Sequence, residues 1–356
     1  MARVTLDIFS GRPNPSWVLD EKEARELLRD LQRRPEALAP ADAFPGILGY
    51  RGLVVEADEG EDASAASEFG RALPGIFRVG SGRAADNGRS FEVAERLLSG
   101  IGNAAPAHGL QDAGPSYDKM DLRGLVQRAL RDSSTSAAFA KAPTDAQAYE
   151  LMLRSSAQAA PSSDVGDASR AAPDSGTQAL AAAAAACWNP AAVIGSDASS
   201  WTAATVGSCG VELGAFNPTF WNAASTRPYN NCYNYATNRR TDTFAQPGRA
   251  TCAGTSTMAC ANVSAGAVSD GALPAGTCAS STEAPRWYMA LVIWPGYDYH
   301  WYRRQSNGYW GHKPGSTAAK NTDDSGAIIY NPQTANRGPY TNFCGYYFAR
   351  SSMGVQ

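Results

Sequence analysis

The front of the chain alternates apolar and polar positions before it changes to a helical spacing. Residues 4 to 10, VTLDIFS, alternate as a half-buried strand does, and the glycine and prolines of the following GRPNP end that pattern. Asp20 stands three residues before Glu23, which is the spacing of a capping box, and apolar residues from Ala24 to Leu31 recur at helical intervals. The pattern predicts a strand, a turn and an amphipathic helix.

Similar patterns continue to about residue 150. GILGYRGLVVEA (46 to 57) and GIFRVG (75 to 80) are typical of strands, and FEVAERLLSGI (91 to 101) and LRGLVQRAL (122 to 130) are typical of helices. We therefore expect residues 1–150 to form an N-terminal domain of α+β or small α/β type, of unknown role.

Residues 151–186 change the composition of the chain. From residue 155 onwards they consist almost wholly of Ala, Ser, Gly, Asp and Pro, with too few large apolar side chains to offset the entropy of ordering the backbone. We interpret this segment as a low-complexity linker that separates the N-terminal domain from a second domain at residues 187–356.

The second half begins its pattern with a helix and continues with strands. PYNNCYNYATNRR (228 to 240) predicts a helix that Asn230 or Asn231 caps. RWYMALVIWPGYDYHWYRRQ (286 to 305) is aromatic and β-branched, as central strands are, with a break at its Pro-Gly pair. Residues 306 to 308, SNG, predict a hairpin turn, and three later stretches predict further strands: YWGHKPG, AIIYNP and FCGYYFAR. A helix followed by an antiparallel sheet indicates the α+β class.

Composition divides the chain at the same place. The 356 residues, 44% of them hydrophobic, suffice for two cores, and the seven cysteines and all but one of the eight tryptophans lie from Cys187 onwards. A domain that is dense in cysteine and aromatic residues and poor in charge is favoured in oxidising compartments. We expect an extracytoplasmic or secreted protein, although neither an apolar signal core nor a membrane span is visible in the sequence. The small net charge of -3 argues against nucleic acid as a partner.

Cys232 stands at the start of the helix predicted in the second half. A cysteine there becomes a nucleophile when the helix N-terminus and a nearby imidazolium stabilise its thiolate. The alternative is a cysteine that is buried or paired in a disulfide, which is the commoner state in a domain so rich in cysteine. Because seven is an odd number, oxidation leaves one thiol over, and Cys232 lies in a helix rather than in a Gly/Ser/Thr-rich loop. We predict that Cys232 is the free thiol and that its pKa lies below the usual value.

Two of the three histidines, His300 and His312, flank the predicted hairpin turn. In a cysteine hydrolase one imidazole takes the thiol proton and later protonates the leaving amine, while a second polar group orients that imidazole through its other nitrogen. The order Cys232, His300, His312 therefore predicts a nucleophile, a base that becomes an acid, and an orienting residue. A lone histidine in a strand is more often structural, and Asn331 and Asp298 are alternatives for the third role.

The length of the turn decides whether His300 and His312 can meet. A two-residue Asn-Gly loop would pair Arg303 with His312 and turn the two imidazoles to opposite faces. A three-residue Ser-Asn-Gly loop pairs Tyr302 with His312 and brings both rings to one face. We predict the three-residue loop, with Gly308 in the left-handed conformation.

This layout resembles the papain-like fold of CHAP-type amidase/peptidases and of NlpC-like cell-wall peptidases. The resemblance covers about residues 229 to 332 and is carried by the order Cys, His, His and by HWYRRQSNGYWGH, in which two histidines enclose a Gly/Asn-rich turn. It implies a papain-like domain in which the helix that carries Cys232 packs on the antiparallel sheet. The insertion from Thr251 to Glu283, with three cysteines, departs from the minimal fold.

The resemblance implies a cysteine-dependent peptidase, amidase or acyltransferase that acts on the amides of a peptide, a protein or peptidoglycan stem peptides. We expect neither a cofactor nor a metal ion, since the sequence has no C-x-x-C pair of the kind that binds zinc. Two alternatives stay open. One is a disulfide-stabilised module that binds carbohydrate or protein without catalysis, and the other is a toxin-like deamidase or transglutaminase on the same fold.

Overall fold

The computed structural model describes residues 1–43, 46–57, 73–109, 114–135, 193–197 and 200–356. Its helices and antiparallel sheets confirm the α+β class. The predicted linker, the domain boundaries on either side of it and Cys187 fall outside the described residues.

The front half contributes one antiparallel sheet and helices that cover it. The strands are β1 (Ala2–Asp7), β2 (Pro15–Leu19), β3 (Ala39–Pro40), β4 (Gly52–Ala57), β5 (Ile76–Val79) and β6 (Ala105–Pro106). The helices are α1 (Glu21–Arg33), α2 (Asn87–Leu97) and α3 (Leu122–Thr135), and short 3-10 helices span Pro35–Ala37, Leu98–Asn103, Ala107–Gly109 and Tyr117–Lys119. The strands follow the order β3-β5-β4-β1-β2-β6.

The predicted capping box of the front half is present. The side chain of Asp20 accepts a hydrogen bond from N of Glu23, and the side chain of Glu23 accepts one from N of Asp20, so α1 begins where the sequence predicts. The strand predicted from residue 46 begins only at Gly52. It does so because Gly49 and Gly52 take φ angles of 89° and 112°, which turn the chain instead of extending it.

The back half contributes a second antiparallel sheet, a hairpin and three helices among its described residues. The strands are β7 (Trp201–Val206), β8 (Cys209–Gly214), β9 (Leu273–Pro274), β10 (Trp287–Trp294), β11 (Asp298–Arg304), β12 (Trp310–His312) and β13 (Asn342–Ala349). The helices are α4 (Pro218–Asn222), α5 (Cys232–Thr237) and α6 (Cys260–Ser269), and short 3-10 helices span Arg227–Tyr229 and Ser281–Glu283. The sheet has the order β12-β11-β10-β13-β9, and β7 pairs with β8. Within the described ranges, no helix has the length and apolar character needed to cross a bilayer.

The strand predicted from AIIYNP, residues 327 to 332, is wrong. This stretch makes only an isolated bridge, between Thr322 and Ile328. Asp323 accepts a hydrogen bond from N of Ala327, the first residue of the stretch, and Asn331 accepts one from N of Gln333, just after it; these bonds hold the chain in turns.

The turn between β11 and β12 has the predicted three-residue loop. The loop closes where N of Gln305 donates to O of Tyr309 over 2.7 Å, and Gly308 takes a φ angle of 84°. The register pairs Tyr302 with His312, as predicted, so both imidazoles lie toward one face of the sheet.

The two faces of the back sheet pack against different partners. The face that carries Val292 and Trp294 joins one apolar core with front-half residues that include Leu6, Phe9 and Leu53. The opposite face packs on α5 and α6 in a second core. The front and back halves therefore share the first core.

Disulfide bonds join Cys209 to Cys278 and Cys260 to Cys344, and Cys252 is also disulfide-bonded. They attach the insertion from Thr251 to Glu283 to β8 and β13. Cys232 is the free cysteine of the described part of the chain, as the odd cysteine count predicts.

Candidate functional site

The helix α5 begins at Cys232 because Asn231 caps it. Oδ1 of Asn231 accepts hydrogen bonds from the backbone N–H groups of Tyr233 and Asn234, while the side chain of Asn234 accepts one from N of Asn231. Of the two candidates that the sequence leaves, Asn231 rather than Asn230 is therefore the cap. All six residues of α5 are buried.

Cys232 is fully buried, and its thiol lies against the backbone of β11. Sγ is 3.9 Å from the carbonyl oxygen of Tyr299. Burial raises the pKa of the thiol well above its usual value and the Asp298 carboxyl raises it further, whereas the backbone N–H of Trp301 and the Lys313 ammonium lower it. The prediction of a lowered pKa is wrong, because the first turn of a six-residue helix does not outweigh the loss of water around the thiol.

His300 and His312 form a buried imidazole pair. Nε2 of His300 and Nδ1 of His312 are 2.7 Å apart, which confirms the predicted contact. Nε2 of His312 lies 2.9 Å from the carbonyl oxygen of Thr322, and a carbonyl only accepts, so this nitrogen carries the hydrogen. Nδ1 of His312 therefore accepts a hydrogen bond from Nε2 of His300. The other nitrogen of His300, Nδ1, keeps its lone pair and has no hydrogen-bond partner among the described residues.

Both imidazoles favour the neutral form. Burial lowers the pKa of His300 and of His312 well below the usual value, and the nearby Lys320 ammonium lowers both further. A neutral imidazole with an unshared lone pair is a general base, so His300 has the protonation state that its predicted role requires.

No hydrogen bond joins Cys232 to His300 in the described part of the molecule. Cys232 belongs to the core on the α5 side of the back sheet, whereas the ring of His300 packs on Tyr302 at the other face. The thiol nevertheless reaches the backbone of Tyr299 and Trp301, on either side of His300. The structure thus brings the two histidines into contact and leaves Cys232 as a neighbour that is not bonded to them.

The two alternatives for the third catalytic residue bond elsewhere. Oδ1 of Asn331 accepts a hydrogen bond from the hydroxyl of Tyr346 and one from N of Gln333. Asp298 lies at the start of β11, and its carboxylate accepts a hydrogen bond from the hydroxyl of Tyr340. Of the three candidates for the third role, His312 is the one whose side chain is hydrogen-bonded to His300.

The turn that follows β1 lies against the start of β11. The backbone N–H groups of Ser10, Gly11 and Arg12 all donate to the carboxylate of Asp298, at nitrogen-to-oxygen distances of 2.5, 3.2 and 2.9 Å. Burial raises the pKa of Asp298, while these hydrogen bonds and that of Tyr340 lower it. One carboxylate of the back half thus binds three successive amides of the front half.

The opposite edge of the same turn meets the cap of α5. The carbonyl oxygen of Gly11 accepts hydrogen bonds from Nδ2 of Asn231 at 2.6 Å, from Nε2 of Gln246 at 2.9 Å and from the hydroxyl of Tyr299 at 3.1 Å. All three donors are buried. The residue directly before Cys232 therefore caps the helix with one side-chain atom and binds the front half with the other.

Lys313, the neighbour of His312, is a fully buried cation. Nζ donates to the carbonyl oxygens of Arg227, Asn230 and Gly315 at 2.6, 2.5 and 2.6 Å. Burial lowers its pKa well below the usual value. Because Asn230 lies two residues before Cys232, this ammonium holds the chain that enters α5 against the chain that leaves β12.

Sequence reasoning identified the histidine pair but missed Lys313, Gln246 and the role of Gly11. A lysine before a Pro-Gly pair is typical of an exposed turn, and nothing in the local pattern indicates that it is buried. The donors to Gly11 lie more than 200 residues away from it along the chain, so only the tertiary structure reveals them. The described residues contain no group of His, Cys, Asp and Glu side chains that could hold a metal ion.

Comparison with known proteins relates the chain to a shell matrix protein. No family model matches the chain, and no solved structure matches it. The chain is 48% identical over 131 residues to insoluble matrix shell protein 1 of Ruditapes philippinarum. The matched region covers 37% of this chain and 86% of that protein. The chain belongs to the insoluble matrix shell protein 1 family. Most of insoluble matrix shell protein 1 is thus represented here, and the chain extends well beyond the matched residues.

Proposed function

We propose that this chain is a cysteine-dependent peptidase, amidase or acyltransferase with a papain-like catalytic domain, and that its catalytic centre is closed in the arrangement described here. The observation that carries the proposal is the unpartnered Nδ1 of His300 in a fully buried site. A buried polar atom without a hydrogen bond costs about 1–3 kcal/mol, which a purely structural histidine would avoid by accepting from a neighbour.

Each of the three residues has one chemical task. As Sγ of Cys232 attacks the carbonyl carbon of the amide, its proton moves to Nδ1 of His300. The C–N bond then breaks, and the amine leaves with that proton. Water hydrolyses the resulting thioester, or an amine takes the acyl group. His312 keeps Nδ1 of His300 available, because its own Nε2–H is fixed to the carbonyl of Thr322.

The closed centre has to open before it can act. In the closed arrangement the thiol is protonated at neutral pH, because burial raises its pKa. Cys232 and the ring of His300 lie at opposite faces of the back sheet in this arrangement. The proposal therefore requires that α5 and β11 rearrange when substrate enters, so that Sγ leaves the Tyr299 carbonyl and meets Nδ1 of His300. Proton transfer then accompanies attack, as general-base catalysis requires.

The proposed site of action is outside the cytoplasm. The disulfides support this location, because such bonds persist in oxidising compartments. The description of the relative as a matrix shell protein agrees with it. We propose the amides of a matrix peptide or protein, or of peptidoglycan stem peptides, as the substrate class.

A peptide vinyl sulfone, which alkylates an activated thiol, tests the proposed centre. We expect a single adduct on Cys232 by intact-mass spectrometry and peptide mapping. His300→Ala is expected to slow adduct formation by about 100-fold, at the lower end of what general-base assistance contributes. His312→Ala is expected to slow it by only about tenfold, because it removes the residue that orients the base and not the base itself.

Cys232→Ala is the control, since it removes the nucleophile without changing the histidine pair. An adduct rate that is the same in wild type and His300→Ala, and that follows the titration of an ordinary thiol, would contradict the proposal. The described cysteines other than Cys232 are disulfide-bonded, and peptide mapping separates an adduct on Cys232 from one on Cys187, which lies outside the described residues.

A second candidate function is binding to an insoluble matrix without catalysis. The observation that favours it is the relationship to insoluble matrix shell protein 1. Co-sedimentation with chitin, peptidoglycan and insoluble shell matrix tests it. If this function is the correct one, Cys232→Ala and His300→Ala bind as wild type does and no adduct forms on Cys232.

A further inference from the structure

The turn after β1 is bound through its backbone on both edges. Three successive N–H groups meet the carboxylate of Asp298, and the carbonyl of Gly11 meets three side-chain donors. A carbonyl oxygen has two lone pairs, so three converging donors exceed what this atom needs. We propose that Asp298, Asn231, Gln246 and Tyr299 form a peptide-binding cradle, that its ligand is a glycine-containing peptide, and that Ser10–Arg12 occupies it as a built-in substitute for that ligand.

The hydrogen bonds that the four cradle residues make to the turn go to its backbone atoms, and the Arg12 side chain separately donates to the carbonyl oxygen of Tyr297, next to Asp298. Asp298 binds amide N–H groups, and Asn231 and Gln246 bind a carbonyl oxygen, all of which any peptide carries. A peptide from another chain can therefore reproduce every one of these hydrogen bonds. Backbone hydrogen bonds of this kind supply affinity where a protein recognises the main chain of a peptide.

Glycine is the one residue that the cradle accepts at its centre. A Cβ built on Gly11 would lie 2.4 to 2.6 Å from ring atoms of Tyr299, a side chain that is itself fully buried. The ring cannot yield easily, because its hydroxyl is bonded to the carbonyl oxygens of Gly11 and Ala245. The cradle therefore selects glycine among all residue types at this position.

The position of the cradle connects it with the proposed catalytic centre. Asn231 directly precedes Cys232 in the chain, and the Asp298 carboxyl acts electrostatically on the Cys232 thiol. Tyr299, which supplies a donor to Gly11, also supplies the carbonyl oxygen next to Sγ. The assignment of this peptide as a substrate rests on the proposed function, whereas its binding does not.

The experiment displaces the turn and asks whether a peptide replaces it. Gly11→Ala places a methyl group against the ring of Tyr299 and is expected to expel the turn. Gly100→Ala is the matched control, because its Cβ would lie 2.5 Å from the ring of Trp17 in the front half, away from the cradle. Each variant is made in the full chain with Cys232→Ala, so that binding is measured without chemistry. The probe is fluorescein-labelled Ile-Phe-Ser-Gly-Arg-Pro-Asn, the sequence of residues 8 to 14.

We expect Gly11→Ala to bind this peptide saturably and at least about tenfold more tightly than the same peptide with Ala in place of Gly, a difference of about 1.4 kcal/mol. Gly100→Ala and the parent chain are expected to bind neither. With Cys232 restored, Gly11→Ala should also speed alkylation of the thiol. Asp298→Asn weakens the hydrogen bonds to the amides of Ser10, Gly11 and Arg12 without a steric clash. It serves as a second variant if Gly11→Ala does not fold, and it is also expected to speed alkylation of Cys232.

Three results would overturn the proposal. Faster alkylation of Cys232 in Gly11→Ala without peptide binding would show that the turn only shields the thiol from solvent. Equal binding of the Gly and Ala peptides would show that the cradle does not select glycine. Unchanged alkylation of Cys232 in a folded Asp298→Asn chain would show that the turn is a fixed part of the core. Peptide binding combined with no adduct on Cys232 would instead leave the cradle standing and reject the catalytic function.

Discussion

At the scale of single residues, the hydrogen on Nε2 of His312 determines the tautomers of both imidazoles in the candidate site. The Thr322 carbonyl fixes the hydrogen on Nε2 of His312, so Nδ1 of His312 accepts the hydrogen of Nε2 of His300. Nδ1 of His300 therefore keeps a free lone pair. If Nε2 of His312 faced a donor instead, His300 would have to accept through Nε2 and present a hydrogen at Nδ1. The carbonyl of Thr322 thus sets whether Nδ1 of His300 carries a lone pair or a hydrogen.

Lys313 is the second important residue at this scale, because its ammonium binds three carbonyl oxygens next to α5 and β12. Lys313→Met removes the ammonium and leaves the carbonyl oxygens of Arg227, Asn230 and Gly315 buried without this donor. We expect a loss of about 1–3 kcal/mol in the free energy of unfolding, the cost of leaving a buried hydrogen-bonding group without its partner. Urea denaturation followed by circular dichroism measures it.

Lys22→Met, on the exposed surface of α1, is the control and is expected to change stability by less than about 0.5 kcal/mol. A Lys313→Met chain as stable as wild type would mean that these carbonyls do not depend on the ammonium. Its vinyl sulfone rate is a separate measurement, because Lys313 also lowers the pKa of Cys232.

At the scale of elements, the sequence predicted what depends on neighbours along the chain. The capping box at Asp20 and the three-residue loop before Tyr309 are local patterns, and both are present. The strand at AIIYNP was mispredicted, because an apolar run of that length fits a strand equally well whether or not flanking side chains hold turns. The raised pKa of Cys232 could not be predicted from local sequence either, because the thiol is buried by segments that are far apart along the chain.

The hairpin that carries the histidine pair offers a test at this scale. Gly308 takes a φ angle of 84°, and a Cβ there would meet nothing within 4 Å, so Gly308→Ala costs only backbone strain. We expect a loss of about 1–2 kcal/mol in the free energy of unfolding. Gly102→Ala, where a Cβ also meets nothing but φ lies outside the left-handed region, should be close to neutral. Equal effects in thermal denaturation would indicate that the loop relaxes to another register, and the vinyl sulfone rate would then fall as the imidazoles separate.

At the scale of the whole molecule, the two halves are joined by a core and by polar contacts. Leu53 and Phe9 of the front half share a core with Val292 of the back half. The buried Arg51 donates to Asp7 within its own sheet and to the carbonyl oxygen of Phe9 in the turn that docks on β11. Composition divides the chain sharply, yet the packing does not follow that division, because residues distant in sequence contribute to the same apolar layer.

This shared core predicts that the front and back halves unfold together. Leu53→Ala, deep in the front sheet, is expected to lower the free energy of unfolding by about 2–4 kcal/mol through the cavity that it leaves. In a Trp17→Phe background the remaining tryptophans all lie in the second half, so their fluorescence reports on the back half alone. We expect Leu53→Ala to lower the urea midpoint of this fluorescence by as much as it lowers the midpoint of the far-ultraviolet circular dichroism. Val18→Ala, at a front-half position that is 53% exposed, should move neither midpoint. If Leu53→Ala shifted only the circular dichroism and left the tryptophan transition in place, the halves would be independent domains, and the turn at Gly11 would be docked on the back half by its polar contacts alone.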